Sequence, residues 1–80
     1  MLTASQAELL AQTRMQEYVN ACGCETRQNV ADALMKMARM CGLGMCAVVG
    51  RDEAVARLQG TTDYIATTQD GVNWRSERAN

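Results

Sequence analysis

Apolar residues recur along this chain with the spacing of helices, and the recurrence changes character from one stretch to the next. At about 100° per residue, Ala7, Leu10, Ala11, Met15, Tyr18, Ala21 and Cys22 fall on one side of a helical wheel. Thr13, Gln12, Gln16 and Asn20 lie opposite, with Leu9 stranded among them. That pattern predicts a half-buried helix over residues 5–22. The next stretch, 26–41, is broader. Val30, Ala31, Ala33, Leu34, Met35, Met37, Ala38, Met40 and Cys41 cover roughly 220° of the wheel and leave only a narrow polar strip of Asn29, Asp32, Lys36 and Arg39. A helix so widely apolar needs cover on two sides. It is therefore expected at the centre of the fold or in an interface between chains.

A third stretch again shows a single apolar face, made by Ala54, Val55, Leu58, Thr62, Ile65 and Ala66. Before it runs Gly44-Met45-Cys46-Ala47-Val48-Val49-Gly50, too short for periodicity to classify. A strand there would have no partner, because no other segment alternates or is enriched in β-branched and aromatic residues. The run is therefore expected to extend the third helix backwards, giving 45–69. Residues 70–80 form a polar tail in which Trp74 stands alone among polar and charged neighbours.

The punctuation agrees with three helices. Ser5 followed by Glu8 is a capping-box pattern, with Thr3 and Gln6 as an overlapping alternative, and Gly23 can end the first helix. Asp32 with Lys36 and Glu53 with Arg57 stand four residues apart, the spacing of favourable helical ion pairs. Asp52 and Glu53 suit the positive end of the third helix. The expected fold is all-α: a single three-helix domain, assembled as a helical homodimer.

Composition narrows the function classes. The chain has 80 residues, 48% hydrophobic and 21% charged, so it is too short for more than one domain and too apolar for disorder. A fold of this length keeps only about 3–5 kcal/mol from its own core. Eight basic and nine acidic residues are interspersed, for a net charge of −1, which gives no field to attract phosphate backbones or anionic lipid. No run reaches the roughly 18 apolar residues that span a bilayer, and the opening lacks the basic and apolar regions of a signal peptide, so a cytoplasmic location is expected. Cysteines stay reduced there, and Cys22, Cys24, Cys41 and Cys46 are not read as a disulfide framework.

Candidate chemistry is thin. The absence of histidine removes the commonest general base and zinc ligand. A C-x-C pair followed by a C-x4-C pair could in principle form a tetrathiolate zinc site, yet neither has the usual C-x2-C spacing. Cys22 and Cys24 as a redox pair lack both that spacing and a βαβ setting. The glycines at 42–50 match no phosphate loop, and Asp52 and Glu53, adjacent in sequence, diverge on a helix. A helix-turn-helix outline can be traced across the glycines, but Met45 to Val49 offer no side chain able to read a base edge, so nucleic acid is not an expected partner. No enzyme activity, metal or cofactor is implied.

The methionines are the strongest positive sign. Met35, Met37 and Met40 lie on the central helix and Met45 just after it, and flexible thioethers serve both irregular cores and surfaces that grip a partner. Three short helices cannot hide that arc together with Met45–Val49. Met35, Met37, Met40, Met45, Val48, Val49 and Trp74 are therefore the expected contacts with a second copy or a partner protein.

The stretch from Val49 to Ile65, VGRDEAVARLQGTTDYI, following the helix TRQNVADAL, resembles small accessory proteins of temperate, transposable bacteriophages. The resemblance covers about half the chain and carries no catalytic or binding signature. It implies a short, helical, dimeric protein in the cytoplasm of a bacterial host that binds and inhibits a host protein such as a CRISPR effector, a quorum-sensing regulator or a pilus motor.

Overall fold

A computed structural model of the chain describes residues 1–68. Those residues form three α-helices, with no strand among them: α1, Ala4–Ala21; α2, Arg27–Val49; and α3, Arg51–Thr67. The tail at 70–80, with Trp74, lies outside the described residues.

Each helix start is set by local chemistry. Thr3 caps α1: its hydroxyl accepts from the Gln6 amide, and the Gln6 side chain accepts from the Thr3 amide in return. The capping box is thus the Thr3/Gln6 pair and not Ser5/Glu8. At α2 the same reciprocity joins Thr26 and Asn29: the Thr26 hydroxyl accepts from the Asn29 amide at 3.0 Å, and Asn29 Oδ1 accepts from the Thr26 amide at 3.3 Å. Between these helices Gly23 takes a φ of +67°, which turns the chain just past Cys22 and is open to glycine without a Cβ clash.

The boundary between the second and third helices differs from the sequence expectation. Gly42 and Gly44 do not break α2, and residues 43–49 continue it instead of extending α3 backwards. The break is Gly50, at φ +91° and ψ 161°, a region essentially closed to residues with a side chain. Two mid-helix glycines cost about 1 kcal/mol each relative to alanine, which a 23-residue helix with packed faces absorbs. The break from α2 into α3 passes through a positive φ, which Gly50 adopts without the steric penalty of a Cβ.

The chain divides into two compact units, residues 1–41 and 42–80, so α2 contributes its first part to one and its last turns to the other. In the first unit Val19 of α1 and Ala33 of α2 are buried, with Met15, Tyr18, Val30, Leu34 and Met37 half-buried around them. Alanine at the crossing lets the two backbones approach closely. In the second unit Ala54 of α3 is fully buried and Gly42 is buried, with Met45 and Cys46 half-buried. A Cβ placed on Gly42 would stand 3.2 Å from Leu58 Cδ1, so Leu58 lies directly against the α2 backbone. Gly42 and Leu58 stand equally far on either side of Gly50, which is the register of an antiparallel helical hairpin.

Val19, Ala33 and Ala54 are the buried apolar side chains among the described residues. The first half of α1 is exposed throughout, Ala7, Leu10 and Ala11 included, although the wheel placed them on the packed face. Val19, absent from that face, is the residue α1 buries most deeply. Of the expected ion pairs, Glu53–Arg57 forms at 2.8 Å. Asp32 and Lys36 form no ion pair among the described residues. Arg14–Glu17, at 2.9 Å, and Arg51–Asp52, at 3.3 Å, are further surface pairs.

Candidate interaction surface

With so small a core, most large apolar side chains face water. Along α2, Met35 is 60% exposed, Met40 64%, Leu43 58% and Val48 82%. Val49 is also exposed, whereas Met37 and Met45 are half-buried within the helix packing. α1 leaves Leu9 and Leu10 exposed, and α3 leaves Val55, Tyr64 and Ile65. The wheel of α3 placed Val55, Leu58, Thr62, Ile65 and Ala66 together with Ala54 on the buried face, but of these only Ala54 is buried.

The structure gathers part of the expected contact set and leaves the rest apart. Met45, Val48 and Val49 line one hollow of about 340 Å³ together with Gly44 and Arg57. Its walls are apolar, and its one charged group, the Arg57 guanidinium, is already engaged by Glu53. Met35, Met37 and Met40 lie outside this hollow, on the preceding turns of α2, and Trp74 lies outside the described residues. Leu43 falls between the helices expected at 26–41 and 45–69, so periodicity gave it no face. Once α2 is known to be continuous, ordinary helical periodicity puts it on the surface beside Met40 and Ala47.

A second hollow, of about 230 Å³, lies at the turn between α1 and α2 and is lined by Tyr18, Cys22, Cys24, Asn29, Asp32 and Lys36 among others. Tyr18 is half-buried there. Loss of water, then a hydrogen bond with the Cys22 side chain and the nearby thiols of Cys22 and Cys24, raise its phenol above the ordinary tyrosine value. All four cysteines are free thiols. Among the described residues no group of three or more histidine, cysteine, aspartate or glutamate side chains could hold a metal ion, which leaves the tetrathiolate alternative without geometric support. No helix of the described residues is long and apolar enough to cross a membrane.

The arrangement thus presents apolar contact area with few polar anchors. Comparison with protein-family models, with curated proteins and with solved structures found no match.

Proposed function

We propose that this chain is a non-enzymatic protein-interaction module: a helical homodimer that binds a protein of a bacterial host, in the manner of a phage-encoded inhibitor. The observation that carries the reading is the set of large apolar side chains left exposed on α2, Met35, Met40, Leu43 and Val48, on a helix flanked by a minimal core. Side chains of this kind lose their unfavourable hydration only against another surface, and an interface is the usual place for large exposed apolar side chains in this number. Methionine suits such a surface because its unbranched, polarisable side chain adapts to the partner. The choice of a host protein as partner rests on the phage resemblance of Val49–Ile65.

Retention of a host protein from a bacterial lysate on the immobilised chain, followed by titration of the purified pair, tests the reading. The expected result is micromolar or tighter binding that weakens at least tenfold in Met35→Asp, where a charge enters the apolar surface. A captured protein bound equally well by Met35→Asp overturns the assigned surface. Duplex DNA binding that falls steeply with salt, with no protein partner, replaces the reading by a DNA-binding regulator.

A further inference from the structure

The four cysteines fall into two unlike pairs. Cys41 and Cys46 stand five residues apart on the continuous α2, which sets them about 140° apart around its axis, too divergent to hold one ion between them. Cys22 and Cys24 converge. Cys22 closes α1, and Gly23, at a φ of +67°, turns the chain so that Cys24 follows immediately. Both side chains line the same hollow of about 230 Å³, together with Tyr18, Asn29, Asp32 and Lys36. Every residue of that hollow belongs to the first compact unit, 1–41. Cys22 is exposed and Cys24 half-buried, so the pair is open to an ion from solvent.

We propose that Cys22 and Cys24 form a two-coordinate site for a soft monovalent cation of the copper(I) class, independently of the partner-binding reading above. Thiolate sulfur selects such ions over hard cations. Zinc takes four ligands, and among the described residues no third histidine, cysteine, aspartate or glutamate joins the two thiols in an arrangement able to hold a metal. Tyr18 acts as a positioning residue. Its side chain is hydrogen-bonded with that of Cys22, one helical turn further along α1, which restrains the sulfur in the hollow. Charge fits as well. Two thiolates around a monovalent ion leave one net negative charge, and the Lys36 ammonium lines the same hollow. Asp32, the other charged lining group, offers hard oxygen and does not compete for a soft ion. Asn29 Oδ1 is already occupied, accepting from the Glu25 and Thr26 amides. Binding releases the proton of each thiol to solvent and forms two sulfur–metal bonds, with no change of oxidation state.

Anaerobic titration of the reduced, full-length chain with copper(I), in competition with the chromogenic chelator bicinchoninate, tests the site. The expected result is one ion withdrawn per chain, with the dissociation constant unchanged in a Cys41→Ser/Cys46→Ser chain and raised at least a hundredfold in a Cys22→Ser/Cys24→Ser chain. Gly23→Val strains the turn at its positive φ and is expected to weaken binding at least tenfold while circular dichroism shows the helices intact. Where Gly23→Val loses helix, the serine variants decide alone. Equal affinity in the two serine variants means indiscriminate capture by thiols and overturns the site. Full affinity in Gly23→Val means that the turn does not assemble the pair and overturns it too, as does a wild-type chain that withdraws no copper from the chelator.

Discussion

Gly50 shows how much of this fold hangs on one residue without a side chain. Its φ of +91° with ψ of 161° belongs to a region that other residues enter only with strain of about 1–3 kcal/mol. Gly50→Ala is therefore expected to lower the stability by that amount in urea titration, a large fraction of the few kcal/mol that an 80-residue chain commands. No loss would mean that the reversal into α3 does not depend on this conformation. Tyr18 makes a pH-dependent contribution. Its phenol is raised above the ordinary value, chiefly by desolvation and then by the Cys22 side chain, so the protonated form is favoured by folding. The stabilisation is fully present below the unfolded value of about 10 and is lost as pH rises through the higher folded one. Denaturation curves at pH 9 and pH 11 should show the wild type losing more stability across that interval than Tyr18→Phe. Equal losses would contradict the account.

At the scale of elements, α2 gives two units their helix faces and depends on its first turn being closed. Thr26 and Asn29 cap each other there, and Thr26→Ala is expected to cost about 1 kcal/mol in thermal or chemical unfolding. Thr3→Ala removes the analogous box of α1, but α1 is exposed through its first half, so the effect is expected as faster amide exchange over that half and a smaller change in global stability. The helices themselves were legible from periodicity, and so was the polar turn at Gly23. What periodicity could not decide was which of the glycines between 42 and 50 ends a helix. Gly42 is tolerated because Leu58 packs on it, a contact made across the chain and invisible in the local pattern. Gly50 differs only in a backbone angle. The wheel likewise assigned Ala7, Leu10 and Ala11 to a packed face because it assumes a neighbour along the whole helix, whereas α1 is packed around Met15 to Val19 and no further. The candidate surface was legible as a list of apolar residues. Leu43 was hidden by the misplaced break, because its exposure on α2 follows only once the helix runs through Gly42 and Gly44.

For the molecule as a whole, the decisive fact is the mismatch between apolar content and burial. Nearly half the residues are hydrophobic, yet among the described residues Val19, Ala33 and Ala54 alone are buried apolar side chains, and two of these are alanines. Alanine burial returns little free energy, while ordering each residue costs about 1–2 kcal/mol of backbone entropy. Apolar side chains left on α2 are the available source of further stabilisation, and association makes stability depend on protein concentration. Sedimentation equilibrium of the pure, reduced, full-length chain from one to one hundred micromolar tests this most directly. The account predicts twice the 8.7 kDa chain mass over most of that range, with dissociation on dilution accompanied by loss of helix signal. A stable, fully helical monomer at one hundred micromolar would contradict it.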